Sequence, residues 1–445
     1  MKEALKTKLL KVSPERLIDL LFEFANEDDI SLSKIERLVT SHKENISRFL
    51  KRLKKIKSRS EFVSRGYASQ FGSELIDVLR DLEISNLSAE EGYDFICNFY
   101  ETDGDILEQC DDSDGFIGEI FRRDAFDLYV KFAKPHLNRE YLVKKTFDLV
   151  SKNEYGARDE LVSSANKFLS PNELRQLFDL IAITISSECR HYSIKWKLSS
   201  IAKQLGDAPL FEKLHLQGIA DPNGRILVEV AEVYFDSGNL QKSQEILDSL
   251  PRGDLFCKYE KEKLQKKIFS TQGKTEALFE LLHSAFLENP SEHTLEELKT
   301  VTNTQDLQQF VEEAKATILT KTFWNTSHAK FLNHIDCPEV LSQYVLKHHD
   351  RMDGRNYDGL PELADYLAKR GQYLTASLVL RVLIEGTLNR ANSKYYHHAV
   401  RYLEKLNLLE KLISDWYDLL TNEQYLIDLK KHHGLKKSFW SKCQA

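Results

Sequence analysis

Hydrophobic residues recur along this chain at the spacing of three and four positions that places them on one face of a helix. Three such stripes are Leu17, Leu20, Leu21 and Phe24; Ile46, Phe49, Leu50, Leu53 and Ile56; and Leu412, Trp416, Leu419 and Leu420. Prolines mark where helices begin, since an early Glu and an apolar run follow Pro14, Pro171, Pro338 and Pro361. The alternating pattern of strands is nearly absent, so the sequence predicts an all-α fold.

One longer pattern occurs twice. Its members are Ala231, Tyr234, Gly238, Leu240, Ser243 and Leu247, matched in step by Ala364, Leu367, Gly371, Tyr373, Ala376 and Leu380. Each set predicts two short helices around a turn, where the glycine takes the left-handed conformation that ends the first helix. The small residue of the second helix, Ser243 or Ala376, lets the helices approach closely. A third, degraded copy keeps Phe269, Gly273, Leu278 and Leu282.

Helical hairpins of this kind resemble tetratricopeptide repeats. The copies are unequally spaced along the chain, which disfavours a regular array. We therefore predict an irregular α-solenoid of stacked helical hairpins, tetratricopeptide-like in the C-terminal half. The alternative is a set of unrelated hairpins that share a glycine at the turn and a small residue at the crossing.

The length of the chain limits how many units it can hold. With 445 residues, of which 42% are apolar and 29% charged, it can form two or three domains or one long solenoid. We place a boundary near residue 220, where the repeat spacing begins. The prediction is an N-terminal helical domain over 1–220 with a basic amphipathic helix. A tetratricopeptide-like domain with a basic and aromatic C-terminal tail follows over 221–445.

Cysteine usage and hydropathy indicate the compartment. The cysteines are Cys97, Cys110, Cys189, Cys257, Cys337 and Cys443, and they form no C-x-x-C pair. Few, scattered cysteines in a long chain are typical of a reducing compartment. The N-terminus lacks the apolar run of a signal peptide, and no stretch approaches the roughly 20 apolar residues of a membrane span. We expect a cytoplasmic protein that does not enter a membrane.

Four local runs resemble a bacterial family of uncharacterised proteins, a domain-of-unknown-function family. They are DDSDGFIG over 111–118, YGARD over 155–159, SKYYHHAVRYL over 393–403 and HGLKKSFW over 433–440. The resemblance covers the chain from about residue 60 to its end and implies an all-helical fold and a bacterial origin, without an activity. The last run also resembles the end of some bacterial proteins with SWIM zinc fingers, whose zinc-binding cysteines and histidines are missing here.

The acidic run Asp111-Asp112-Ser113-Asp114-Gly115 suggests either a cation site or a helix cap. Aligned on an EF-hand loop, its first and last ligand positions are Cys110 and Phe121, where that motif needs an acid and a bidentate Glu. We therefore predict that Asp112 or Asp114 caps the following helix. A metal ion or a cationic partner is the alternative.

Histidines occur as three adjacent pairs, at 348–349, 397–398 and 432–433. Neighbours on a helix point about 100° apart, so one pair cannot readily chelate one metal. His328, His334, Cys337 and His348 fall within a short span but follow no recognised metal-binding spacing. We predict no bound metal and no cofactor.

Two basic segments are candidate binding surfaces. In the segment 43–59 the basic residues form an outer stripe opposite an apolar face, with Arg48, Lys51, Arg52, Lys55 and Arg59 as candidate phosphate ligands. Lys436 and Lys437 add basic groups within the C-terminal patch at 381–442. A solvated outer helix is the alternative for the first segment, because the chain as a whole carries a net charge of −7.

The strongest candidate site lies in the C-terminal third. We predict that a protein or peptide partner binds Arg381, Arg390, Lys394, Tyr395, His398 and Arg401. The spacings from Arg390 to Arg401 would place the basic members on one helix face, beside tyrosines that suit carboxylate or phosphate recognition. An internal salt-bridge network is the alternative. Phe439 and Trp440 are expected to dock back on the last hairpin.

Catalytic motifs are missing: the chain has no P-loop, G-x-G-x-x-G, G-x-S-x-G or H-E-x-x-H. We therefore predict no catalytic residues and a non-enzymatic helical-repeat scaffold or adaptor for a protein or peptide partner. The first alternative is a nucleic-acid-binding protein that uses the two basic segments. The second is an unrecognised hydrolase that would bring the acidic run and the basic tail together.

Overall fold

A computed structural model describes residues 12–27, 32, 35–36, 39–59, 61–184, 191–250 and 257–443. Within these ranges the chain is helical apart from turns and one isolated bridge between Val63 and Cys110. It divides into two compact units, Met1–Lys258 and Tyr259–Ala445. The predicted all-α fold is confirmed. No helix in the described part is long and apolar enough to cross a membrane.

The first unit contains fourteen α-helices among its described residues. They are α1 Pro14–Glu27, α2 His42–Lys57, α3 Arg65–Glu83, α4 Ala89–Tyr100, α5 Asp103–Glu108, α6 Phe116–Ile120, α7 Phe126–Ala133, α8 Arg139–Ser151, α9 Glu160–Ser163, α10 Pro171–Ile183, α11 His191–Gln204, α12 Ala208–Leu216, α13 Gly224–Asp236 and α14 Leu240–Ser249. A π-helical turn over Phe121–Ala125 joins α6 to α7. From α10 to α14 each helix packs on the next. This contact pattern is the one that successive antiparallel hairpins produce.

The core of the first unit includes two clusters of buried polar side chains. The Tyr93 and Tyr129 hydroxyls hydrogen-bond at 2.7 Å, and Thr146 Oγ1 lies 2.7 Å from the Tyr129 hydroxyl. Nearby, Arg158 donates two hydrogen bonds to the Asp103 carboxylate, and both side chains are about 5% exposed. Because each polar group is partnered, these residues fix the helices at low desolvation cost.

The division into units falls at Lys258–Tyr259, later than the boundary expected near residue 220. Helix α12 ends at Leu216 and α13 begins at Gly224, and these two helices pack on each other across the expected boundary. The first two predicted hairpin helices therefore join the stack of the first unit.

The second unit contains eleven α-helices among its described residues. They are α15 Lys258–Gln272, α16 Thr275–Glu288, α17 Glu292–Lys299, α18 Thr304–Thr320, α19 Thr326–His334, α20 Pro338–His348, α21 Leu360–Lys369, α22 Tyr373–Asn389, α23 Tyr396–Glu410, α24 Asn422–His433 and α25 Lys437–Cys443. From α16 to α22 each helix contacts the second helix after it in the chain. For example, α18 contacts α20, and α20 contacts α22. Contact with the second neighbour is the arrangement of stacked hairpins. The predicted irregular solenoid of helical hairpins is confirmed.

The predicted turns have the left-handed geometry that the glycines require. Gly238, Gly273 and Gly371 have φ of +84°, +66° and +79°. In each turn the residue after the glycine donates its N–H to the carbonyl five residues earlier, as Gln372 does to Leu367 at 2.9 Å. Ser243 is fully buried and donates its hydroxyl to the Ala231 carbonyl at 2.7 Å, so the close crossing is also confirmed.

Two further turns of this kind are not in the sequence prediction. Gly206 has φ +68°, and the N–H of Asp207 bonds to the Ala202 carbonyl. Asp336 has φ +54° at the equivalent position, and the N–H of Cys337 bonds to the Leu332 carbonyl. Asp can adopt this conformation because its short polar side chain bonds locally. A search for glycine alone therefore misses the hairpin of α19 and α20.

Two predicted core stripes are wrong. In α1 the apolar side chains of the stripe remain at least partly exposed, and Leu20 and Phe24 are 42% and 44% exposed. The stripe over Leu412–Leu420 is not helical, since α23 ends at Glu410 and α24 begins at Asn422. The chain turns at Tyr417, which has φ +50° and donates its N–H to the Asp415 carboxylate at 2.8 Å. This local side-chain bond replaces a helical one.

Candidate functional site

The basic helix α2 forms as predicted, but its arginines contact other side chains of this protein. Arg48 pairs with Glu36 at 3.0 Å, and Arg52 pairs at 2.8 Å with the fully buried Asp81. Arg59 lies 4.6 Å from the centre of the Phe71 ring. Lys51 and Lys55 are exposed, while Phe49, Leu53 and Ile56 are buried as predicted. The stripe that α2 presents to solvent is therefore made mainly of lysines.

The acidic run caps a helix, as predicted. Asp112 accepts the N–H groups of Ile117 and Gly118 at 2.7 and 2.9 Å, at the start of α6. Asp114 instead pairs with Arg65, whose guanidinium holds the pKa of that carboxyl below its usual range. Among the described residues no three His, Cys, Asp or Glu side chains gather in a way that could hold a metal ion. Cys189 lies outside the described part of the chain.

The C-terminal aromatic pair docks as predicted. Phe439 is fully buried and meets the Tyr396 ring edge to face at 6.2 Å, while α25 packs on α23. Trp440 donates its Nε1–H to the His433 carbonyl at 2.9 Å. Lys436 and Lys437 lie between His433 and Trp440 in the sequence, and Lys437 is exposed.

The predicted basic face from Arg390 to Arg401 is interrupted. Helix α22 ends at Asn389, Ala391 has φ +53°, and Lys394 and Tyr395 lie in a 3₁₀ turn before α23. The four-residue spacings therefore do not follow one helix. His398 stacks on Tyr395 at 6.5 Å, and Arg401 is exposed further along α23. Of the predicted partner-binding residues, Arg381 and Arg390 line a cavity, whose lining does not include Lys394, Tyr395, His398 or Arg401.

The cavity lies in the second unit and has a volume of about 690 Å³. Its walls are the loop 349–355, one face of α22 and the segment that leads into α24. The lining residues are His349, Asp350, Met352, Asp353, Gly354, Arg355, Leu378, Arg381, Val382, Glu385, Gly386, Asn389, Arg390, Leu419, Leu420 and Tyr425. A volume of this size is in the range that small-molecule ligands or a few peptide side chains fill.

Two glycines let the loop approach the helix. A Cβ built on Gly386 would lie 2.3 Å from the Gly354 carbonyl oxygen, and one built on Gly354 would lie 2.1 Å from the Val382 carbonyl oxygen. Any side chain at either position would collide with backbone. The glycines therefore set the position of Asp353 and Arg355 relative to α22.

Arg381 is a buried cation in the cavity wall. It is 7% exposed, and its guanidinium carbon lies 4.7 Å from the Trp416 ring centre and 4.6 Å from that of Tyr425. Nη1 donates to the Leu420 carbonyl at 2.8 Å, but Nε and Nη2 have no hydrogen-bond partner among the described residues. Burial lowers the pKa of Arg381 to about 10, so the side chain stays charged at neutral pH.

Charged side chains of both signs line the cavity together with Arg381. Asp353 pairs with Arg355 at 2.9 Å, and this pairing holds the pKa of Asp353 below its usual range. Arg390 lies over the Tyr357 ring at 4.7 Å. Glu385 is more than a third exposed, yet the protein around its carboxyl and the nearby Asp428 raise its pKa. The cavity therefore combines one buried cation with charged groups of both signs.

The sequence predicted Arg381 and Arg390 as site residues, but not the loop residues Asp353 and Arg355 or the ring of Tyr425. Two signals for the loop were present in the chain. An Asp-Gly dipeptide at 353–354 marks a turn, and the glycine at 386 inside an apolar helical pattern marks a close contact. Their pairing was not predictable, because it depends on how α20 packs against α22.

The fold places the chain among all-α proteins built from helical hairpins. It belongs to the family described as "Family of unknown function (DUF6880)", which matches residues 2–189 and 181–442. The resemblance to an uncharacterised helical family is thereby confirmed. No curated protein matches the chain. One solved structure, described as "Circular tandem repeat protein with novel repeat topology and enhanced subunit contact surfaces", is 14% identical over 96% of both chains, with a TM-score of 0.12. This TM-score is too low to support any argument about fold or function.

Proposed function

We propose that this protein is a helical-repeat scaffold that binds a protein or peptide partner in the cavity around Arg381. Stacked hairpins supply rigid walls and an extended surface, which suits recognition of another chain. The cytoplasmic location expected from the cysteines stays a prediction.

The observation that carries the proposal is the state of Arg381. A buried guanidinium without partners for two of its nitrogens costs free energy, because desolvation is not offset by hydrogen bonds. Arg381 nevertheless lies at a cavity wall beside two aromatic rings. Arginine and aromatic side chains in desolvated pockets contribute most of the binding energy in many interfaces. A partner that hydrogen-bonds Arg381 would recover the free energy that the unbound protein lacks.

Affinity capture from the native host tests this proposal, with the full chain as bait. Asn389→Trp would fill the cavity from an exposed position on its wall. Lys369→Trp adds the same ring at the exposed end of α21, outside the cavity. We expect one partner to be recovered by the wild type and by Lys369→Trp and to be lost with Asn389→Trp. Equal recovery by all three proteins would contradict a role for the cavity.

Nucleic acid is the alternative partner, because Lys51 and Lys55 are exposed on α2. A phosphate-binding stripe would give affinity that falls steeply with salt. Titration of DNA and RNA at low salt separates the two functions. Binding that is lost in the double variant Lys51→Glu and Lys55→Glu would favour the nucleic-acid function, while its absence at low salt would exclude it.

A further inference from the structure

Among the described residues, four arginines hold a carboxylate in the same way. Each donates through Nε and Nη2, the two N–H groups along one edge of the guanidinium. The pairs are Arg65 with Asp114 at 3.1 and 2.5 Å, Arg139 with Glu173 at 2.7 and 2.9 Å, Arg158 with Asp103 at 2.8 and 2.5 Å, and Arg355 with Asp353 at 2.9 and 3.0 Å. This edge matches the two oxygens of a carboxylate, which gives the pair both strength and a defined geometry.

In the part of the chain that the structure describes, Arg381 has no partner on that same edge. Its Nη1 is bonded to the Leu420 carbonyl, while Nε and Nη2 are buried and unpartnered. We propose that the cavity receives a peptide carboxylate on Nε and Nη2 of Arg381. This assignment rests on the proposed function, since it names the chemical group by which the partner is recognised. The carboxylate can belong to a C-terminus or to an Asp or Glu side chain.

The carboxylate reaches Arg381 when the segment 411–421 moves. That segment covers the guanidinium with the Trp416 ring and holds Nη1 through the Leu420 carbonyl. It has no regular helix, and Tyr417 within it is 75% exposed. Few buried contacts therefore oppose its displacement. Trp416 changes its surroundings on binding, which makes its fluorescence a direct readout.

The cavity favours a carboxylate over a phosphate. Asp350, Asp353 and Glu385 line the same walls as Arg381. A phosphate group carries close to two negative charges at neutral pH and meets more repulsion from these acids than a single carboxylate does. The one unpartnered edge of Arg381 offers two donors, which a single carboxylate satisfies.

The ligand side of the test uses the wild-type chain. A library of short peptides is prepared with free C-terminal carboxylates and again with C-terminal amides. For the tightest binder, each Asp and Glu is also replaced by Asn or Gln, and each Ser or Thr is phosphorylated in a further set. We expect removal of one particular carboxylate to weaken binding at least tenfold, a change of about 1.4 kcal/mol. Loss with the amide identifies a C-terminal carboxylate, and loss with Asn or Gln identifies a side chain.

Two results overturn the carboxylate assignment while leaving the proposed function intact. One is a peptide that binds equally well after every carboxylate has been neutralised. The other is tighter binding of a phosphorylated form. A library from which no peptide binds would overturn the assignment together with the peptide-binding function.

The protein side of the test compares two conservative variants. Arg381→Lys keeps the charge but removes the two-donor edge, whereas Arg370→Lys makes the same change at an exposed arginine paired with Asp336. We expect Arg381→Lys to abolish the difference between the carboxylate and neutral peptides, and Arg370→Lys to preserve it. This ratio is measured on folded protein, so lower stability of Arg381→Lys does not obscure it. An unchanged ratio in Arg381→Lys would place the carboxylate elsewhere.

Trp416 fluorescence provides the third readout. We expect the carboxylate peptide to change the emission of the wild type and not that of Trp416→Phe, in which three other tryptophans remain. The same spectral change in Trp416→Phe would place the signal in another tryptophan and would contradict a change in the surroundings of Trp416 on binding.

Discussion

Gly386 and Gly354 meet backbone to backbone: a Cβ on Gly386 would lie 2.3 Å from the carbonyl oxygen of Gly354. This contact fixes the loop 349–355 on α22 and so fixes the wall of the cavity that faces Arg381. Glycine inside a helix normally lowers stability, and its presence here reflects the close approach of the two backbones.

We expect Gly386→Ala to destabilise the second unit by about 1–3 kcal/mol, because neither backbone can yield without displacing the loop. Urea unfolding measures this change. The control is Gly66→Ala in α3, where a Cβ would meet nothing within 4 Å. That variant is expected to be neutral or slightly stabilising, since alanine is the better helix former. Equal stability of Gly386→Ala and the wild type would show that the loop is not held by this contact.

Gly371→Val should destabilise the hairpin of α21 and α22 by about 1–3 kcal/mol. The cause is conformational, because Gly371 has φ +79° while a Cβ there would meet nothing within 4 Å. Gly371→Asn is the matched control, since asparagine tolerates the left-handed region far better than a β-branched residue. A thermal melt that shows equal midpoints for the two variants would contradict this explanation of the turn.

The pair of Arg158 and Asp103 should contribute far more to the free energy of unfolding than the pair of Arg65 and Asp114. Both pairs use the same guanidinium edge. Asp103 is 4% exposed and Asp114 is 61% exposed. Asp103→Asn leaves a buried guanidinium without its counter-charge and should cost about 3–5 kcal/mol. Asp114→Asn breaks a solvated pair and should cost far less. Chemical denaturation of both variants checks this, and similar losses would contradict it.

Low pH should reduce the free energy of unfolding of the first unit, because Glu173 takes up a proton. The Arg139 guanidinium and the Ser170 cap lower the pKa of Glu173 from 4.5 to about 2. Because the unfolded chain takes up this proton at a higher pH, the stabilisation is present above about pH 4.5 and is lost as the pH falls to about 2. The loss is on the order of 3 kcal/mol. Unfolding free energies measured across that window should fall less steeply for Glu173→Gln, and an equal slope would contradict the assignment.

Local features of the fold were predictable from the sequence, because they depend on a few neighbouring residues. Gly371 and Gly238 identify their turns, and the Asp112 cap follows from an acid placed just before an apolar run. Asp336 was missed because the search looked for glycine, although Ala329 and Leu332 precede Asp336 at the spacing of Ala364 and Leu367 before Gly371.

The candidate site was only partly predictable, because its residues come from segments that are distant in sequence. Arg381 was predicted as a member of the basic cluster that extends to Arg401. Trp416 was assigned to a helical stripe, but the segment turns at Tyr417 and places the ring over Arg381 instead. The split between Arg390 and His398 arises from the left-handed Ala391, which no local rule predicts for alanine.

The central claim is that the partner binds the cavity around Arg381. Hydrogen–deuterium exchange of the full chain, with and without saturating partner peptide, tests it most directly. We predict slower exchange in the loop 349–355 and in α22, together with altered exchange in the segment 411–425. Protection confined to α2 or to other helices outside these segments would contradict the claim.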